Sequence, residues 1–170
     1  MRNNEEPKII RVIGPDGQSM SRCTKTKAYK LVKTKRAAWS AYNTITLFKS
    51  KADLYEEKQE IIEEAGRICY ICGDYIPEEE RATVDHVIPK STHSPYAYER
   101  ENQRCCCQRC NADKANRTLT AYVNHICSHR DEYAYISKNR LKKLKSFAEQ
   151  HEKKYIMDDL IANSRNRRKR

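Results

Sequence analysis

The sequence predicts an α+β fold in which short strands and helices are segregated along the chain, and three observations carry that prediction. Short β-branched runs, such as "KIIRVI" before residue 14 and "TITLF" at residues 44–48, are bounded by turn residues. Longer stretches place apolar residues at helical spacing, with lysines on the other sides. Between them, two Cys-x-x-Cys pairs, Cys69 with Cys72 and Cys107 with Cys110, bracket a segment that holds two more short runs.

The first run ends in "GPDG" (residues 14–17), where glycine supplies the positive φ of a tight turn. In "KTKAYKLVKTKRAAW" Ala28, Leu31 and Val32 share one face of a helix, and "TITLF" returns as a strand, so the first third is expected to run strand, helix, strand. Ser50 with Asp53 forms a capping signal for a helix that places Leu54, Ile61, Ile62 and Ala65 on one side and stops at Gly66. "ATVDHVIPKS" is a strand stopped by Pro89, "RENQRCCC" is a second, and a helix is expected from about Gln108: a ββα unit. Beyond Asn116 the chain is helical again. "RDEYAYISKNRLKKLKSFAEQHEKKY" is a long basic helix candidate, and the closing "NSRNRRKR" is a like-charge run expected to be disordered. These signals divide the chain into a small basic αβ region over residues 1–50, a central unit over 51–120 and a basic helical extension over 121–170.

Of the 170 residues, 38% are hydrophobic and 34% charged, and no stretch approaches the roughly 18 apolar residues of a membrane span. The opening "MRNNEEPKII" lacks the apolar middle of a secretory signal, so a reducing cytoplasm and no membrane partner are expected. The net charge is +11, and residues 136–170 carry twelve Lys and Arg against four acids. Such an excess points to a polyanion as partner.

In a reducing compartment the eight cysteines are poorly explained by disulfides. Two Cys-x-x-Cys knuckles supply four thiolates, the ligand set of a tetrahedral structural zinc site with no position left for substrate. Cys105 and Cys106 suit buried strand positions, while Cys23 and Cys127 have no partner at metal spacing. His93 reads as a loop residue, and His125 and His129 flank Cys127 without a fourth ligand nearby. A ββα unit this small buries little core, so the metal is expected to supply the missing stability.

"VDHVIP", then "EN" ahead of Cys107, then "CQRCNADKANR" resemble an HNH endonuclease domain of the zinc-containing ββα-metal kind over residues 67–119. With Asn at the last motif position, the chain is similar to the H-N-N branch. The resemblance implies that His86 is the first motif residue, Asn102 the central one that braces the hairpin, and Asn111 the last. It implies a metal-dependent DNA endonuclease or nickase of the kind found in phages and mobile elements. A weaker likeness links the region around "VIGPDGQSMSRC" to the short N-terminal domain of transposon-associated HNH nucleases related to Cas9 ancestors, although here "GQSMSRC" stands where that domain has its signature and no second nuclease segment surrounds the unit.

The chemistry asked of these residues is phosphodiester hydrolysis. A neutral His86 can take a proton from water. Asp85 and Asn111 offer oxygens to one Mg²⁺ or Mn²⁺, hard ions that prefer such ligands. Asp85 and His86 are adjacent on a strand and point to opposite faces, so both can serve one phosphate only if the backbone bends or the Asp turns toward the helix. Lys114 and Arg117, and on the basic extension Lys142, Lys143, Lys145, Arg167 and Arg168, are candidates for phosphate contact. The competing reading is a zinc-stabilised DNA-binding module without catalysis, and an RNA-binding zinc ribbon is a third. The Asp85–His86 pair with Asn111 separates them, because a carboxylate beside phosphate repels unless a metal lies between.

Overall fold

The computed structural model describes residues 9–92 and 95–167, with side chains described as far as Tyr155 except that of Pro95. His93 and Arg168 lie outside the described residues, and of Arg167 only the backbone is described. No described helix is long and apolar enough to cross a membrane.

The N-terminal region is a four-stranded sheet under one helix. Its strands are β1 (Ile9–Ile13), β2 (Ser19–Thr24), β3 (Ala37–Ala41) and β4 (Thr44–Leu47), in the order β2-β1-β4-β3, with α1 (Lys25–Lys33) between β2 and β3. The "GPDG" turn closes the β1–β2 hairpin, with Gly17 at φ 81° as the turn requires. Two of these strands go beyond the expected strand, helix, strand. β2 is polar and almost wholly exposed, and β3 reads "AAWSA", so neither shows the alternation or β-branching that marks a strand. They form because β1 and β4, which pair in parallel, each recruit a hairpin partner. Ile10, Val12, Ala37 and Ile45 face Ala28 in a small core of their own.

α2 (Lys51–Glu64) starts where the sequence places it: Ser50 Oγ accepts from the Asp53 amide at 3.1 Å, and the Asp53 carboxylate accepts from the Ser50 amide at 2.7 Å. The central unit is the antiparallel pair β5 (Ala82–His86) and β6 (Gln103–Cys107), joined by 3₁₀ turns and followed directly by α3 (Gln108–Lys114). Then come α4 (Leu119–Ser128) and α5 (Lys138–Arg167).

Two expectations are corrected here. The helix runs through Arg167, so residues 163–167 are not a disordered tail; a run of Arg, Asn and Ser still permits helix once a preceding segment has nucleated it. Nor does the ββα unit depend on metal alone. Ile62 of α2, Leu119, Tyr122, Val123 and Ile126 of α4, and Leu141, Leu144 and Ala148 of α5 bury against Ile71, Ile76, Val87, Cys105 and Cys106 in one cluster. The helices that carry this cover lie outside the motif, and only their periodicity, not the motif, announces them.

Candidate metal centre and active site

Cys69 to Gly73 turn tightly: the Gly73 amide donates to the Cys69 carbonyl at 2.9 Å, and Gly73 adopts φ 88°. A Cβ there would stand 3.3 Å from the Arg140 guanidinium, which reaches in from α5 to donate to the carbonyls of Ile71 at 3.0 Å and of Tyr70 and Cys69. The second knuckle is a helix start. Cys107 ends β6 and caps α3, its Sγ accepting from the Cys110 amide at 3.4 Å. The ligand sulfurs of Cys69, Cys72, Cys107 and Cys110 all lie within 4.8 Å of one another, and no other cluster of this kind occurs among the described residues. Four sulfurs at ~2.3 Å from one ion stand ~3.8 Å apart, so the cluster fits a tetrahedral zinc-type site. Cys69 is held far below the usual thiol range by S–H donors from Cys106, Cys110 and Cys72. Cys106, 3.8 Å from it, is held far above that range because its proton serves Cys69 and because it is buried. Cys105 and Cys106 are core residues, as their strand positions imply.

Asp85 and His86 point to opposite sides of β5. Asp85 turns inward, 5% exposed, between the strand and α3. Its carboxylate accepts from the Tyr70 hydroxyl and pairs with Lys114 Nζ at 3.0 Å. The same ammonium donates to the His86 carbonyl at 2.9 Å. Lys114 is fully buried, and the role expected of it is corrected: it faces the carboxylate and not a solvent-side phosphate. Arg117 is engaged locally as well, lying over Tyr122 and capping the end of α3 through the Asp113 and Lys114 carbonyls. Asn111 shares the inward side with Asp85: its Nδ2 donates to Thr83 Oγ1 at 2.9 Å, and Thr83 sits two residues before Asp85 on the strand. Its Oδ1 is thereby left as the acceptor end.

Asn102 is fully buried and saturated. Its Nδ2 donates to the carbonyls of Ile88 and Ala97, both at 3.0 Å, and its Oδ1 accepts from the Ile88 amide at 2.8 Å and from His151 Nε2 at 3.2 Å. The Asn102 carbonyl accepts from the Val87 amide at 2.9 Å. The two residues that follow His86 are therefore pinned to one residue.

His86 faces Tyr98 edge-on, with ring centroids 6.2 Å apart. Its pKa falls to about 3, through burial first and then through Lys90, Lys114 and Lys58, so the imidazole is neutral at physiological pH. Lys90 is itself depressed, by partial burial and then by Lys58 and Arg36, with only a small opposing contribution from Asp85. Arg36 lies over the Tyr98 ring at 4.7 Å and Lys90 at 5.6 Å. Sequence reading misses this ring of cations. Lys90 stands next to the motif in "VIPK" but serves there only to mark a strand end. Lys58 lies on the polar side of α2, and Arg36 comes from the N-terminal region, where nothing in the sequence signals it. Lys142, Lys143 and Lys145 are exposed on α5.

Residues 69–127 match a family model described as HNH endonuclease. The match supports an HNH family assignment for this segment. The HNH match supports a nuclease-type function, implying DNA as substrate and use of a divalent metal, and it contains every motif residue named above. It begins downstream of the four-stranded sheet, so the likeness of that region to transposon-associated nucleases remains an expectation from sequence. No curated protein and no solved structure matches the chain.

Replacing Cys110 by Ser should remove one of four ligands and release the metal. Metal analysis should find about one zinc per wild-type chain and none in the variant, with loss of the HNH melting transition, because binding energy at such sites is folding energy of roughly 10 kcal/mol or more. A variant retaining its metal and its Tm would disprove the four-thiolate site.

Acid should destabilise the same unit. The pKa of His151 falls to about 4, through burial and then Arg104 and Lys154. The unfolded chain takes up this proton first, so the contribution of the neutral ring is complete above about pH 6.5 and is lost as pH falls toward 4. His151→Gln keeps an N–H for Asn102 and cannot charge, so its Tm should drop less than wild type between pH 7.5 and pH 5. Equal drops would exclude His151 as a source of acid sensitivity.

Proposed function

We propose that the protein is a metal-dependent endonuclease or nickase that hydrolyses DNA phosphodiester bonds at His86. The observation that carries this reading is a histidine whose two following residues are pinned to Asn102 and whose ring faces Tyr98, over which Arg36 and Lys90 lie as cations that suit an incoming phosphate. His86 takes a proton from water as the water oxygen bonds to phosphorus and the bond to the 3′ oxygen breaks. Asp85 and the Asn111 side-chain oxygen would hold a Mg²⁺ or Mn²⁺, and when bound it neutralises developing charge and stabilises the leaving oxygen. Both are hard oxygen donors on one side of β5, and Lys114, which now pairs with Asp85, would have to give way to the ion. Asn102 acts one step back, as a positioning residue for the loop after His86. The structural ion at the cysteines would be zinc. Exposed Lys142, Lys143 and Lys145 would contact the DNA backbone without reading sequence, and a phage or mobile-element setting follows from the family resemblance alone.

Incubation with supercoiled plasmid and Mg²⁺ or Mn²⁺ should give nicked or linear product. His86→Ala should reduce the rate at least about 100-fold, the usual contribution of a general base, while DNA binding persists. An inert wild type that still binds DNA would favour a zinc-stabilised binding module, and a His86→Ala variant that cuts at the wild-type rate would move the base elsewhere.

The cation ring has a separate signature. Lys58→Gln combined with Lys90→Gln should flatten the dependence of log affinity on log salt by up to about 0.9 for each phosphate no longer neutralised. An unchanged slope would show that these lysines do not meet the backbone.

A further inference from the structure

The N-terminal sheet carries a second feature that the nuclease reading does not use. Where α1 crosses the β3 end of the sheet it leaves a groove of about 500 Å³, with Ile10 on its floor and Tyr29, Trp39, Tyr42 and Lys25 among its walls. The rings are uncovered: Tyr42 is 74% exposed, Tyr29 52% and Trp39 37%. Tyr29 and Trp39 meet edge to face at 5.3 Å, which fixes the angle between the two walls. A soluble unit of this size rarely exposes three aromatic rings around one concavity without a ligand for them.

The charge around the groove says what that ligand is. Residues 9–48 hold eight Lys and Arg against one acid, a net +7 in a unit that makes no contribution to the cysteine cluster. On α1, Lys25, Tyr29 and Lys33 follow at four-residue spacing and so share one face, with a cation on either side of a ring. Lys25 Nζ lies 5.6 Å from the Tyr29 centroid. Aromatic faces interleaved with cations are the recognition surface for unpaired nucleotides: rings stack on bases, cations meet the phosphates between them. A duplex hides the base faces that such rings need, and an acidic peptide would use the lysines but leave the rings unmatched.

We propose that this groove binds single-stranded DNA, taking an unpaired base against Tyr29 and Trp39 while the lysines of α1 hold the flanking phosphates. The choice of DNA rests on the nuclease reading of the neighbouring domain; the stacking site does not.

The chain's single tryptophan is Trp39, so its emission reports on the groove alone. In a full-length His86→Ala background, which prevents cleavage, a short oligothymidylate should quench Trp39 saturably, and the same length of duplex should not. Tyr29→Ala should weaken oligothymidylate binding about 5- to 150-fold, the range found for loss of one base-stacking ring, and Tyr29→Phe should restore it. Lys33→Gln, which leaves the rings in place, should weaken binding and flatten its salt dependence. Unchanged Trp39 emission on saturation with oligonucleotide, or equal quenching by duplex, would overturn the stacking site. A preference for oligouridylate of about tenfold or more would overturn the assignment to DNA. Because Trp39 fluorescence needs no cleavage, failure of the nuclease reading appears separately, as an inert wild type in the plasmid assay.

Discussion

Four sulfur atoms within 4.8 Å of one another set the geometry of everything around them. As thiolates they repel, and only a cation among them balances that charge. The fold must therefore bring the turn at Cys69 and Cys72 to the junction of β6 and α3. Cys107 is at once the last strand residue and the cap of the helix, so fixing its sulfur fixes the angle at which α3 leaves the sheet. That angle decides where Asn111 and Lys114 fall, one and four residues beyond Cys110. Asn111 reaches Thr83 and Lys114 reaches Asp85. The cysteines thus position Asn111 and Lys114 against β5.

The buried pair of Asp85 and Lys114 is poorly explained as a source of stability, because burying two charges costs about what their attraction returns. Its placement explains it better. One ammonium touches the Asp85 carboxylate and the His86 carbonyl, so the carboxylate keeps a cationic partner in a site that is 5% exposed and the strand end carrying the imidazole is fixed. From the other side Asn102 ties residues 87 and 88 into the same frame. His86 is held by its neighbours' backbone, which leaves the ring itself to face Tyr98 and the cations. A divalent ion arriving at Asp85 meets a carboxylate whose charge is already balanced, so its affinity depends on how far Lys114 withdraws.

What the sequence reveals and what it hides divide along physical lines. The ligand set, the capping box at Ser50, the start of α3 and the opposite facing of Asp85 and His86 are local properties, set by spacing and strand period, and each is found in the structure. The N-terminal sheet is half legible: β1 and β4 have β-branched runs, whereas β2 and β3 are strands only because partners pair with them, a tertiary effect that no window of residues contains. Lys114 misleads for a similar reason. A lysine on a short polar helix is usually solvated, and only the inward turn of Asp85 makes burial tolerable. The cations around His86 are invisible in the sequence because they converge from three separate segments.

The distribution of charge gives this convergence its use. Residues 9–48 carry a net +7 and residues 136–170 a net +8, yet the span between them, residues 49–135, is net −4. Within that span residues 69–127, which hold the HNH match, carry seven Lys and Arg against eight acids and are close to balanced. Lys58 and Lys90 gather beside His86, and there Arg36, donated by the basic N-terminal region, joins them. On the nuclease reading, the flanking regions would supply general affinity for a polyanion, and the cations beside His86 would give a phosphate a local place to settle. On that reading the residues that would aim the phosphate lie partly outside residues 69–127, because Arg36 and Lys58 come from segments that precede the HNH match.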